Sequence, residues 1–332
     1  MRLLIVVPRQ ERATGNWITA NRLKQGLTAR GHAVSICNTV ADPTELAAAI
    51  DAFHPDLGLV LHAWRSGRPW LATGCRLPYA VLLTGTDVHE GLADPAQGPV
   101  IETVLQRAAA IISQNYLTVA ALRRSRPALA LRLHLLTPGI TLGNARFPLR
   151  ERLQIAAGET LLLCPAGIRP VKGLVELLGM CDPLATGKRS LRLAFCGPVL
   201  DNTYGRRFID AVAARPWAAY LGTVPPEAMP DAMCQADAIV NNSSSEGLPN
   251  ALVEAAALGR PIVARNIPGN AAVVSDGVNG LLYADETGFR AAIRRLQDEP
   301  GLAAALSRPD PERYAAEHEA ATLEMLCRAI LA

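Results

Sequence analysis

The sequence predicts an α/β fold of two doubly wound units in series, facing each other across a cleft. Short apolar runs recur along all 332 residues, separated by stretches long enough for crossover helices. Those runs are nearly continuous in apolar residues rather than alternating, which fits parallel strands covered by helices on both faces. Apolar residues make up 50% of the chain, enough for two buried sheets, and the length suits two ordinary domains better than one core.

In the first half the expected strands are 3–7, 33–37, 57–61, 80–83, 109–113 and 133–136. The opening run is too short for a signal peptide or membrane span and reads as a first strand. The loop after it, 8–17, is not Gly-x-Gly-x-x-Gly, so the dinucleotide fingerprint is absent. Gly15 and Asn16 precede a helical run over 18–27 and let backbone approach a phosphate or acceptor closely; a plain strand-to-helix turn is the alternative. His62 follows the third strand, where it either lines the cleft or only packs locally. Thr84-Gly85-Thr86-Asp87 ends the fourth, and Asp87 either meets a ligand or caps a helix. Arg123, Arg124 and Arg126, with Arg132, make a basic stretch interrupted by Pro127. It reads as a solvated helix face rather than a membrane-docking one.

In the second half the expected strands are 160–164, 191–196, 218–221, 238–240, 261–264 and 280–283. The join falls within 137–152, which Pro138, Gly139, Gly143 and Pro148 punctuate, giving domains of 1–143 and 150–310. The last stretch, 311–332, reads as helix. Arg169 and Lys172 follow the strand 160–164 and so sit at its carboxyl end, where ligands bind in doubly wound folds.

Glu246 and Glu254 stand with seven residues between them in Ser-Ser-Glu-Gly-Leu-Pro-Asn-Ala-Leu-Val-Glu-Ala. The first lies in a Ser/Gly/Pro loop. The second lies one turn inside a helix that Pro249 can open at its first position and Gly259 can end. Free amides at that N-terminus favour phosphate, and carboxylates accept hydrogen bonds from hydroxyls, so the run suits a phosphorylated sugar. Around Glu254 the residues Ala251, Leu252, Ala255, Ala256 and Leu258 leave little polar face. A glutamate there is either buried and paired or facing a ligand.

Composition excludes several classes. A net charge of +3 does not indicate a polyanion binder, and 5% aromatics do not furnish stacking platforms for nucleic acid. The seven cysteines are scattered without Cys-x-x-Cys, which suits reduced thiols in a cytoplasmic protein. There is no Asp-x-Asp and no His/Cys cluster at zinc spacing, so no metal is expected.

The glutamate run resembles the acidic-pair signature of family 4 glycosyltransferases, group 1 retaining enzymes of the GT-B fold. The resemblance continues through Gly259-Arg260-Pro261-Ile262-Val263-Ala264, Ile267-Pro268-Gly269-Asn270 and Asp276-Gly277-Val278-Asn279-Gly280-Leu281-Leu282, and upstream through 167–173. Gly15-Asn16 and the run 84–87 are similar to a narrower subgroup, which includes glycosyltransferase 1 domain-containing proteins and selenosugar synthases. The resemblance implies two Rossmann-like domains: an acceptor side in 1–143, joined by the helix 312–332, and a nucleotide-sugar side in 150–310. It implies that Arg169 and Lys172 hold the two phosphates, that Glu254 meets the ribose, and that Glu246 meets the donor sugar. Gly247, Leu248, Pro249, Asn250 and Val224 complete the implied donor contacts; Gly15, Asn16, His62, Thr84 and Asp87 are the acceptor or cleft candidates. Many family members carry histidine where Thr84 stands, which puts that histidine's sugar contact in doubt here.

The expected activity is metal-independent transfer of a hexose such as N-acetylglucosamine from a UDP-sugar to a small acceptor, without cofactor, nucleic acid or membrane. The subgroup brings selenophosphate or another sulfur or selenium nucleophile among the acceptors. A GT-B epimerase or phosphorylase, or a non-catalytic nucleotide-sugar binder, would use the same residues.

Overall fold

The computed structural model describes residues 1–9, 15–39, 43–185 and 190–332. They form two compact units: Met1–Ile140 with Glu246–Leu248 and Tyr314–Ala332, and Thr141–Ser245 with Pro249–Arg313. Each is built on a six-stranded sheet, parallel throughout.

In the first unit the strands are β1 (Arg2–Pro8), β2 (Ala33–Thr39), β3 (Leu57–Leu61), β4 (Tyr79–Leu83), β5 (Ala110–Ser113) and β6 (Leu133–Leu135). Their order is β2-β1-β3-β4-β5-β6. Alternate residues feed opposite layers: Leu4, Val6, Val60 and Val81 pack on one side, and Leu3, Ile5, Leu59 and Leu82 on the other. That is why the strands read as unbroken apolar runs. Each such side chain contributes about 1.5–3 kcal/mol when fully buried. Gly58 of β3 lies under the Trp70 indole, where a Cβ would overlap the ring.

The helix Gly15–Ala29 begins three residues before the expected helical run, so Gly15 and Asn16 lie in its first turn rather than ahead of it. Residues 10–14 of the expected loop lie outside the described residues. The last helix, Ala316–Leu331, is shorter than the expected 311–332. It packs on Gly15–Ala29 at Gly26, where a Cβ would come within 2.8 Å of the Ala320 Cβ. Glu319 secures it, accepting from Arg22 Nε at 2.7 Å and Nη2 at 3.0 Å and from Gln114 Nε2 at 2.7 Å. In the basic stretch Arg126 pairs with Glu102, Arg123 donates to the Leu133 carbonyl, and Arg132 donates to the carbonyls of Gln106 and Ala108.

In the second unit the strands are β7 (Thr160–Pro165), β8 (Leu191–Cys196), β9 (Ala218–Tyr220), β10 (Ala238–Asn241), β11 (Ile262–Arg265) and β12 (Gly280–Tyr283), ordered β12-β11-β10-β7-β8-β9. Phe208 meets Phe195 and Tyr220 edge-on, with ring centroids 5.0 and 5.4 Å apart, closing the core over β8 and β9. Among the described residues no helix is long and apolar enough to cross a membrane.

Candidate functional site

The second sheet changes direction at β7. From it the chain steps outward to β8 and β9 on one side and returns to β10 on the other. The loops after β7 and β10 therefore part at a topological switch point, the usual ligand site of a doubly wound sheet. Arg169 and Lys172 lie on the first of these loops. Glu254 lies on the helix that follows the second.

The β7 loop runs alongside the end of β8, with Ile168 bridging Val199 and its amide donating to the Pro198 carbonyl at 2.8 Å. Arg169 is extended, a 3-10 turn spans Pro170–Lys172, and Gly173 ends it at φ 58°, ψ 36°. That left-handed geometry favours glycine. Space demands it too, since a Cβ would sit 2.8 Å from Asn242 Nδ2 and 2.9 Å from the Asn242 carbonyl oxygen. The β10 loop grips this turn at two points. Ser244 N donates to the Val171 carbonyl at 2.9 Å, and Asn242 Nδ2 donates to the Gly173 carbonyl at 2.7 Å.

Two helix N-termini follow the two loops and differ in a useful way. At Leu174–Ala185 the first amides are already taken: Leu174 N and Val175 N donate to the Tyr204 hydroxyl at 2.8 and 3.1 Å. At Asn250–Ala257 no side chain caps the end. Pro249 is the N-cap there, at ψ 110°, and not the first helical residue that its sequence position suggests, because its ring fixes φ while leaving ψ extended. Gly259, at φ 64°, follows the helix end. Glu254 is half-buried between Val253 and Ala255, which are buried. Burial holds the Cys196 thiol far above its ordinary value, and the charges of Cys164 and Glu254 add to this. Glu254 therefore lies within electrostatic reach of the end of β8. Val224, in the loop after β9, has a buried side chain.

Among the described residues, Arg169 Nε, Ser245 Oγ, Asn270 Oδ1, His32 Nε2 and Arg260 Nε are buried without a hydrogen-bond partner, the first three on or beside these two loops. Buried polar atoms rarely go unpaired. A donor, an acceptor and a hydroxyl on or beside these loops suit a ligand with both phosphate oxygens and hydroxyls. Among the described residues no group of three or more His, Cys, Asp or Glu has metal-binding geometry.

Glu246, Gly247 and Leu248 are counted with the first unit. The Gly247 carbonyl accepts from Asn115 Nδ2 at 2.8 Å, and Gly85 and Gly247 lie so close that neither has room for a Cβ. Gly85 is itself left-handed at φ 111°. The loop it belongs to is shaped by Asp87, which is fully buried. The Asp87 carboxylate accepts from Ala63 N at 2.9 Å, Thr84 N at 3.1 Å and Gly85 N at 2.9 Å, so it ties the end of β4 to the end of β3.

His62 is also buried, at φ 73°. Its Nδ1 accepts from the amides of Trp64 and Arg65 at 3.2 and 3.1 Å, which leaves the proton on Nε2 facing Thr86 Oγ1 at 3.2 Å. Burial lowers its pKa, while Asp87 pulls it up and Arg65 pulls it down. Both side chains hold backbone. Thr84 and Asn16 are half-buried and Gly15 is exposed, so these three remain the accessible candidates on the first unit. Sequence reasoning missed Asn242, Tyr283 and Asn115, and gave no role to Asn270, which stands in the run Ile267-Pro268-Gly269-Asn270. The only signal was the pair Asn241-Asn242 directly after an apolar strand.

Residues 159–299 match the family Glycosyl transferases group 1, a stretch that lies in the second unit apart from Glu246–Leu248. Glycosyltransferase 1 domain-containing protein 1 of Xenopus tropicalis is 27% identical over 299 residues, covering 87% of this chain and 86% of the relative. Sucrose-phosphate synthase of Thermosynechococcus elongatus superposes with TM-score 0.80 at 19% identity, over 99% of both chains. Anabaena HepE in complex with UDP-glucose gives TM-score 0.79 at 15% identity, over 98% of this chain and 99% of that one. The fold is GT-B, and the matched domain makes the chain a glycosyltransferase.

Proposed function

We propose a retaining, metal-independent transferase that moves a hexose such as N-acetylglucosamine from a UDP-sugar to a small-molecule acceptor. One observation carries the donor side: the turn bearing Arg169 and Lys172 is clamped by the loop leading to Glu254, at the switch point of the second sheet, with Arg169 Nε buried and unpartnered. HepE, which shares the fold, is known in complex with UDP-glucose, which supports UDP as the nucleotide of the donor.

In this reading Arg169 and Lys172 neutralise the departing diphosphate, the role a divalent ion plays in metal-dependent transferases. Glu254 accepts from the ribose hydroxyls and Glu246 from the donor sugar, with Gly247, Leu248, Pro249 and Asn250 supplying backbone contacts and Val224 lining the donor side. Preorganised charge and alignment supply most of the acceleration, and front-face attack assisted by the leaving phosphate retains the anomeric configuration. The domain 150–310 takes the donor. The domain 1–143 with the helix 312–332 serves the acceptor through Gly15, Asn16 and Thr84, while His62 and Asp87 shape the loops beside them. The subgroup resemblance points to a sulfur or selenium nucleophile such as selenophosphate. The scattered cysteines, all free, suit a cytoplasmic setting.

Mass spectrometry of reactions pairing UDP- and GDP-sugars with selenophosphate and a panel of small acceptors tests this. The expected result is one hexosyl added to an acceptor with UDP released, insensitive to chelation. Conversion of donor without acceptor would identify an epimerase. Binding without transfer or hydrolysis would identify a non-catalytic sensor, and an absolute need for a divalent ion would overturn the metal assignment.

A further inference from the structure

We propose that Asn242 and Tyr283 are positioning residues that set the Arg169–Lys172 turn for the diphosphate of the donor. The proposal rests on the donor-site reading above. Asn242 is 1% exposed and Tyr283 2%. Asn242 Oδ1 accepts from the Tyr283 hydroxyl at 2.7 Å, and Asn242 Nδ2 donates to the Gly173 carbonyl at 2.7 Å.

The orientation of the amide is forced. Turned over, Asn242 would set its oxygen against the Gly173 carbonyl, an acceptor facing an acceptor. The Tyr283 hydroxyl must then donate to Oδ1, and it is always able to, because burial holds that phenol protonated. The chain of bonds thus runs from the end of β12, through the loop after β10, to the residue directly after Lys172.

The turn has little freedom of its own. Gly173 stands against Asn242 on both backbone and side chain, and Ser244 holds the Val171 carbonyl on the other side. A buried side chain that ends on Gly173 therefore governs where the two cations before it stand. Neither Asn242 nor Tyr283 needs to touch the ligand. Asn270 belongs to the same buried group, donating to Asn241 Oδ1 at 3.3 Å and to the Arg265 carbonyl at 2.8 Å. The group is a buried polar cluster at the carboxyl ends of β10 and β12, and within it the Asn242 amide has both its oxygen and its nitrogen paired, which specifies one geometry for that side chain.

The test compares UDP with uridine, by ligand-observed NMR and calorimetry, on wild type, N242A and Y283F. A residue that acts through the cations changes the affinity for the diphosphate and spares the nucleoside. A residue that only supports the fold changes both alike. N242A should weaken UDP about tenfold, the factor expected when a buried carbonyl loses its donor, with uridine changed less than about twofold. Y283F leaves Asn242 in place and should weaken UDP about threefold. The double variant should be no weaker than N242A, because both changes break one chain. Y283F gives the answer if N242A does not fold. UDP affinity unchanged in Y283F and N242A, or UDP and uridine weakened equally, would overturn the proposal. Wild-type protein that binds no UDP would instead bring down the donor-site reading on which it rests.

Discussion

Replacing Asp87 with alanine removes a carboxylate that no solvent reaches and that three backbone amides use. Ala63 and Gly85 are themselves buried, so their amides would lose an acceptor where water cannot replace it. Each such orphan costs about 1–3 kcal/mol. The Thr84 amide is half-buried and recovers part of its bond from solvent. The expected loss is therefore about 4 kcal/mol, among the larger effects of single substitutions. Asparagine keeps one oxygen for Thr84 and Gly85 but turns an amino group toward Ala63 N, and should lose about 2 kcal/mol. Urea denaturation followed by tryptophan fluorescence measures this. Trp17, Trp64 and Trp70 belong to the first unit and Trp217 to the second, so a W217F background isolates the first. A loss below about 1 kcal/mol in D87A, within ordinary surface variation, would refute the claim that this carboxylate shapes the β4 loop.

Three further outcomes are expected. His62 is held neutral, below its ordinary 6.5, so the unfolded chain takes up a proton that the folded chain refuses. Stability of the first unit should fall as pH drops below 6.5 and stay flat above it, and H62N, which tolerates a left-handed backbone, should flatten the slope in denaturation curves. G173A must accept left-handed strain of about 1–2 kcal/mol and push Asn242 aside, so UDP titrations should show at least tenfold weaker binding, by the rule of about 1.4 kcal/mol per tenfold. E319A strands Arg22, whose side chain is 14% exposed, and should cost about 3–5 kcal/mol in urea denaturation, with the last helix becoming open to proteolysis.

The strands were legible because both faces of each sheet are covered. A largely apolar run of three to six residues in that setting has few other readings, and every expected run lies within a residue or two of a strand. The small differences have local causes. Pro261 stays outside β11 because it has no N–H to give the ladder, and Asn241 joins β10 although the apolar run stops before it, because it still pairs with Ala264. Helix starts were harder. The helix at Gly15 opens earlier than its apolar pattern, and Pro249 caps rather than opens its helix. Long-range polar ties were not legible at all. Nothing local in Asn242 points to a glycine 69 positions earlier or a tyrosine 41 positions later, and nothing in Asp87 points to the amide of Ala63. Such contacts arise only once strands distant in sequence are neighbours in the sheet.

The central claim is that the second unit holds a nucleotide sugar through Arg169 and Lys172 on one loop and Glu254 on the next. Calorimetric titration of a UDP-sugar into wild type, R169A and E254A tests it most directly. Loss of a charged hydrogen bond is worth about 1.5–3 kcal/mol, so E254A should bind the donor one to two orders of magnitude more weakly, and R169A at least as weakly. Donor affinity equal to wild type in both variants would contradict the account.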